Sequence, residues 1–401
     1  MPKKNILLNW DSSRADLMEP FIALKDEFNF SVIWYKAKPG HKKTHPFPEY
    51  YFGDFRTPYR LLKKLQPDRV VFFGVHSFPQ IALNTAAKNK SIPTYTMHHG
   101  VFNSNIVAIT KLRQEMGIVK KRKPINSLSG LYFYCSALRW ANRKDFIKYF
   151  QFPFLLNKYG SVEAMRKSVF SARLPDNYIQ LSPHNAVFYK ELDHLDSNEN
   201  FLFIGHPWFD KFLASPLNAI SKKGARTPYW LLVDFPNVET NIGFKKIGPE
   251  RKKIFYKKLS AIAQKNGCRL KIKLHPAGFN SPYNYEDENI DLVKEADMVG
   301  LIRDAEKCLG FYSTLLFPIV YLKKHCIVFD LELNIANQQE LVELGVVTKL
   351  DIDNFTEEQL FPQINSEKYE KAASEFMQRY FYHTDGKAMQ RLKDILAGEV
   401  A

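Results

Sequence analysis

KIKLHPAGF (Lys271–Phe279) and CLGFYSTLLFPIVYLKKHCIVFD (Cys308–Asp330) are the two stretches on which the reading of this chain turns. In the first, apolar and polar residues alternate over Leu270–Leu274, the period of a short strand, and the run stops at His275-Pro276. The second opens on a buried strand, Cys308–Tyr312, which breaks at Ser313-Thr314 straight into an apolar helical run over Leu315–Leu322. A strand tip that carries two hydroxyls and starts a helix suits an anion. The first N–H groups of the helix lack intrahelical acceptors, and its dipole is positive there. His275, at the tip of the other strand, adds a donor. The pattern predicts a phosphate gripped between two strand ends by His275, Ser313 and Thr314. Without a ligand the same hydroxyls simply cap the helix, so capping and binding draw on the same groups.

Outward from this stretch, the second half alternates strand and helix. Tyr229–Val233 (YWLLV) is a strand with Asp234-Phe235-Pro236-Asn237 at its tip. A long helix follows within Ile247–Lys265, another near Val299–Asp304, then a strand over His325–Asp330. A helix over Gln338–Leu344, a last strand over Val346–Leu350, and helices over Thr356–Ile364, Ser366–Tyr380 and within Tyr382–Leu396 complete this half. The first half repeats the alternation, with strands over Asn5–Asn9, Phe30–Tyr35, Asp68–Phe73, Pro93–Met97, Tyr178–Ser182 and Phe201–Gly205. Pro39–Phe55 has no period and is expected to be a long surface loop. Phe146–Tyr159 and Ser161–Ala172 read as two helices. Continuous apolar strands separated by helices indicate parallel sheets covered on both faces.

At 401 residues the chain exceeds one ordinary core. Lys211–Arg226 (KFLASPLNAISKKGAR) has the composition of a linker, which divides the chain into domains over 1–210 and 227–401 joined by 211–226. Ligands of such sheets sit beyond the carboxyl ends of the strands. In the first half that singles out Asp11, His76 and His99 as substrate contacts. Each has a plainer reading: Asp11 with Ser12 and Ser13 caps a helix, His76 starts one, and adjacent His98 and His99 point oppositely, so at most one faces a ligand.

Apolar content of 45% and charged content of 25% are those of a folded globular protein. No apolar run approaches the roughly 20 residues that span a bilayer. Cys135, Cys268, Cys308 and Cys326 are scattered and read as reduced core residues, without a CxxC pair for zinc or redox chemistry, which favours the cytoplasm. No acidic cluster has metal-ligand spacing, and no metal or other cofactor is expected. The formal charge of +15 draws anions. Nucleic acid is the weakest candidate, because the basic residues are dispersed and no recognition motif occurs. The run Lys120–Lys123 is either a solvated face or a patch for acidic lipid or glycan.

Two αβα halves with a linker have the layout of the GT-B glycosyltransferases: two Rossmann-like domains facing each other across a cleft, here closed by C-terminal helices. The order of SPHN (Ser182–Asn185), FIGHPWFD (Phe203–Asp210), KLHP (Lys273–Pro276), STLLF (Ser313–Phe317) and the late Asp385-Gly386 resembles that of bacterial glycan-assembly transferases. These include the β-Kdo transferases of capsule and lipopolysaccharide synthesis (KpsC-like and WbbB-like), and more distantly polysialyltransferases and teichoic-acid glycerophosphotransferases. VDFPN (Val233–Asn237) most resembles the WbbB-type retaining enzymes. The resemblance implies a CMP-β-Kdo donor, its phosphate held by His275, Ser313 and Thr314 with Lys273 as counter-charge. It also implies a second-half donor site, a first-half acceptor side (Asp11, His76, His99), and a bacterial surface glycan, O-antigen or capsule, as acceptor. Retention requires two inversions and hence an enzymic carboxylate, for which Asp234 is the candidate, with His275 as its catalytic partner. Asp234 as a turn residue before Pro236 is the plain alternative; Asp210 and Glu239 are weaker acid or base candidates, and His206 is expected to be structural. A sialic acid or glycerol phosphate transferase, and a non-catalytic glycan- or membrane-binding module, are the rival readings. Cytoplasmic, with peripheral association with the inner membrane or with other domains of a glycan synthase, is the expected setting.

Overall fold

The computed structural model describes residues 2–10, 15–34, 43–98, 128–214, 227–235, 247–311, 313, 315–330 and 336–399. The chain forms two compact α/β units. Among the described residues, the first takes those up to Asp210 and those from Tyr380 onward, and the second those from Lys211 to Arg379. The final helix, Ala388–Ala397, therefore belongs to the first unit rather than to the second, where sequence order had put it.

The first unit is built on seven strands, β1 (Asn5–Asn9), β2 (Asn29–Trp34), β3 (Glu49–Tyr51), β4 (Arg69–Phe72), β5 (Thr94–Met97), β6 (Asn177–Gln180) and β7 (Phe201–Phe203). They lie in the order β3-β2-β1-β4-β5-β6-β7, every pair parallel. The second has six: β8 (Tyr229–Val233), β9 (Arg269–Lys273), β10 (Ile290–Val293), β11 (Lys307–Gly310), β12 (Cys326–Asp330) and β13 (Val347–Asp351). Their order is β10-β9-β8-β11-β12-β13, again all parallel. Each sheet thus grows outward in one direction from its first strand and then resumes on the other side. The order reverses between β1 and β4 and between β8 and β11, and a reversal leaves a crevice at the carboxyl ends.

Burial on both faces explains the uninterrupted apolar strands. Leu7 packs on one side of the first sheet with Val70, Phe72 and the helix Phe78–Asn89. Ile6 and Leu8 pack on the other with Met18, Phe21, Leu392 and Leu396. Both faces are covered, so alternation is lost. In the second unit Leu232, Ile272 and Leu309 meet Phe255 and Leu259 of the helix Pro249–Lys265. That helix starts on Pro249 after Gly248 and stops before Gly267, whose φ of 71° turns the chain out.

Three expectations need correction. Pro39–Phe55 contains an edge strand, β3, paired with β2 from Val32↔Glu49 to Trp34↔Tyr51, and Phe47, Phe52 and Phe55 are buried. Three residues are too few to show a period. Phe146–Lys167 divides at Gly160 (φ 77°) into the two helices expected, but the second stops at Lys167 rather than at Ala172. Thr356–Ile364 holds only the short turn of helix Glu358–Leu360.

Asp210 has a structural duty in place of the acid–base role considered for it. It accepts from the Ala388 and Met389 N–H groups at 3.2 and 2.7 Å, capping the final helix from a distance of 178 residues along the chain. His206 is buried and stacks on Phe209 at 4.0 Å, as a structural residue does. Replacing Asp210 with Ala is expected to lower unfolding free energy by about 1–2 kcal/mol, the cost of a lost N-terminal cap, in urea titrations.

Candidate active site

Strand β8 lies at the reversal of the second sheet. Val233 is in register with Lys273 of β9 on one side and with Gly310 of β11 on the other. Three strand ends are therefore level, and beyond them the chain continues to Asp234, to Leu274-His275, and to Phe311 and Ser313. With strands about 4.8 Å apart, the outer two tips are about 10 Å from each other. Asp234 is tied in by its N–H, which donates to the Lys273 carbonyl at 3.0 Å. Gly310 lets the tips approach, since a Cβ there would stand 3.2 Å from the Val233 carbonyl oxygen.

Asp234 sits at the strand end as expected, but its carboxylate is not open: its side chain is only 2% exposed. It faces the helix Pro249–Lys265, where Lys252 Nζ lies 3.0 Å from Oδ2 and the Lys252 side chain is likewise buried. The Lys252 ammonium in turn lies 5.6 Å from the centre of the Tyr256 ring. Oδ1 makes no well-formed hydrogen bond among the described residues. Burial raises the Asp234 pKa above the ordinary carboxylate value, and Lys252, the Tyr256 hydroxyl and the Phe235 N–H offset part of that rise. The carboxylate thus has a role that the sequence did not suggest, a buried ion pair, while Pro236, on which the turn reading rests, lies outside the described residues.

Lys252 and Tyr256 were not singled out from the sequence, although a signal exists. Positions 252, 255, 256, 259 and 263 form one helical stripe in which Phe255, Tyr256, Leu259 and Ala263 are buried, so a lysine on it requires a buried partner.

The other predicted residues divide. Lys273 is half-buried, donates to the Leu274 carbonyl at 2.8 Å and lies 5.3 Å from the Phe279 ring centre; burial lowers its pKa. His275 is half-buried where β9 gives way to the short turn of helix Pro276–Gly278. Ser313 accepts from the Leu315 N–H at 3.3 Å and from Leu316 through its carbonyl at 3.0 Å, so it opens the helix Leu316–Tyr321. Thr314 and Glu239 lie outside the described residues. The register thus sets Lys273 level with Val233 and Gly310, with Asp234 one residue, His275 two residues and Ser313 three residues beyond that level on their own chains.

The first sheet's reversal, between β1 and β4, is built from neutral groups. Asn9 donates to the Ile33 carbonyl at 2.9 Å and accepts from Gln80 at 2.7 Å. Gln80 Oε1 accepts from the Ser77 N–H at 3.0 Å and the His76 N–H at 3.3 Å. His76 is exposed just past the tip of β4, its ring so close to Gly74 that a Cβ there would stand 2.7 Å from Nδ1. His98 is packed inward against Phe73 and Tyr189. Asp11 and His99 lie outside the described residues. Among the described residues no three His, Cys, Asp or Glu side chains form a metal-binding group.

With this geometry in place, comparison with known proteins gives a likeness of fold. No protein-family model matches the chain, and no curated protein matches it. Among solved structures it is similar to the glycotransferase of kitacinnamycin (12% identity, 100% of both chains, TM-score 0.54). It is also similar to CalG4, the calicheamicin glycosyltransferase (16% identity, 100% of both chains, TM-score 0.54). A putative UDP-N-acetylglucosamine 2-epimerase from Listeria monocytogenes shares 11% identity over 99% of this chain and 97% of its own, with a TM-score of 0.52. Two parallel α/β units with strand order reversed beside the first strand are the GT-B architecture.

Breaking the buried pair from one side has a pH signature. Lys252→Met leaves Asp234 without its counter-charge, which is expected to cost about 3–5 kcal/mol near neutral pH. The Asp234 pKa in the folded variant then rises further above its unfolded value. Stability linked to the protonated form is present below the unfolded pKa and is lost as pH climbs through the folded one. The deficit relative to the parent should therefore shrink toward acid pH and be largest at neutral pH, as read by paired urea titrations across pH.

Proposed function

We propose that the chain is a GT-B glycosyltransferase that moves β-Kdo, with retention, from CMP-β-Kdo to a bacterial surface glycan. The observation that supports this reading is the level of the three strand ends at the second sheet's reversal, Val233, Lys273 and Gly310, beyond which the chain continues to Asp234, His275 and Ser313. A reversal is where open α/β sheets bind nucleotides, and a buried carboxylate with a raised pKa at such a place is a candidate for chemistry. The motif order and the GT-B fold agree with it.

In this reading Lys252 holds Asp234 Oδ2, and Oδ1, which is buried in this structure, has to be uncovered for the donor before it attacks the anomeric carbon. The bond from that carbon to the CMP phosphate oxygen breaks and the phosphate leaves with the electron pair. His275, Ser313 and Thr314 stabilise the phosphate, and Lys273 balances its charge. The acceptor hydroxyl then attacks the same carbon from the opposite face. It displaces the Asp234 carboxylate and releases its proton to solvent, and two inversions give net retention. The first unit takes the acceptor, with Asp11, His76 and His99 on that side.

The burial of Asp234 against Lys252 favours a second reading of the same site: a pair that positions the β8 tip while the acceptor displaces CMP in one inverting step. Intact-mass measurement after mixing with CMP-Kdo distinguishes them. The first reading expects one Kdo residue added to the parent protein, absent in Asp234→Asn, and a product of retained configuration by NMR. Transfer with full activity in Asp234→Asn, or an inverted product, rules out the covalent route. His275→Ala should weaken CMP binding by about tenfold or more in calorimetry, the value of one charge-assisted hydrogen bond. If the parent binds no cytidine nucleotide, the donor assignment is wrong.

A further inference from the structure

The helical run Phe146–Lys167 in the first unit has two unlike faces. Inward, Tyr149 and Phe152 are fully buried, and Tyr134 stacks on Tyr149 with ring centroids 4.2 Å apart. Outward, Phe146, Ile147, Phe150 and Phe154 are 49%, 67%, 60% and 67% exposed. At about 100° per residue these four fall within a single arc of about 100°. The Phe150 and Phe154 rings lie 5.9 Å apart, so two of the four adjoin on the surface. Scattered exposed apolar residues are ordinary, but four large ones on a single helical arc mark a surface that meets something.

The segment that carries the stripe is cationic: Arg139, Arg143, Lys144, Lys158 and Lys167 are all exposed along it. The Arg139 guanidinium lies 4.9 Å from the ring centre of Trp140, and Lys158 and Lys167 each lie 5.0 Å from that of Tyr159. The only carboxylates between 139 and 167 are Asp145 and Glu163. Asp145 is buried and accepts from the Ser171 N–H at 2.8 Å, while Glu163 is paired with Arg166 at 2.9 Å. A second copy of this face would set positive charge against positive charge. An acidic lipid surface satisfies both parts, since aromatic rings settle at the headgroup boundary and lysine and arginine meet the phosphates. Among the described residues no helix is long and apolar enough to cross a membrane.

We propose that this helix face docks on an anionic lipid bilayer, with Phe146, Ile147, Phe150 and Phe154 entering the headgroup boundary and the flanking arginines and lysines meeting lipid phosphates. The proposal stands apart from the transferase chemistry. Co-sedimentation of the full chain with phosphatidylcholine vesicles, with and without phosphatidylglycerol, tests it. The parent should bind only the anionic vesicles, and less at raised ionic strength. Phe150→Ser/Phe154→Ser should bind about tenfold or more weakly, because two buried aromatic side chains are lost. Phe150→Trp keeps the stripe and reports its surroundings, and its emission should shift to the blue on anionic vesicles alone. Equal binding by the serine variant overturns the proposal, as does an unshifted tryptophan emission. A lipid-independent dimer of the parent that the serine variant disperses overturns it in favour of a second copy.

Discussion

Strand β8 is hydrogen-bonded along both edges, to β9 and to β11, and its five residues are all buried. A strand in that position has no freedom to slip, because each backbone N–H and C=O is already paired and every side chain has a packed neighbour on one face or the other. The register that results makes Val233, Lys273 and Gly310 level, and everything proposed for the second unit depends on it. A slip of one residue would turn Asp234 away from Lys252 and separate it from the neighbouring tips.

The two sheets share the same order, yet their reversals are filled differently. At the first, the amides of Asn9 and Gln80 are joined to each other, to the Ile33 carbonyl and to two backbone N–H groups. Neutral amides with their bonds made cost little to bury. At the second, a carboxylate and an ammonium are buried together, an arrangement whose desolvation is repaid only by close geometry. The second sheet's reversal thus holds an ionic pair where the first holds neutral amides.

Much of the architecture was visible in the residues. Apolar runs such as NILLN and YWLLV, with Pro, Gly or Ser-rich breaks between them, announce parallel strands because both their faces are covered. Lys273, His275 and Ser313 stood out because a strand tip running into a helix is a local pattern. Short elements were not legible: β3 has three residues, and its pairing with β2 rather than any period makes it a strand. The final helix was misplaced for a related reason. Its attachment to the first unit rests on Asp210, Ile6 and Leu8, residues far away in sequence.

The sequence by itself determined the class of fold, the two-unit organisation and the strand tips worth examining, since these follow from periodicity and from turn-forming residues within a few positions of one another. Only the tertiary structure decided the order of the strands, hence which tips adjoin, and the state of Asp234. A carboxylate's environment is set by what folds against it. Lys252 stands 18 positions onward on a helix crossing behind the sheet, and no local pattern around VDFPN reveals that its charge is met there.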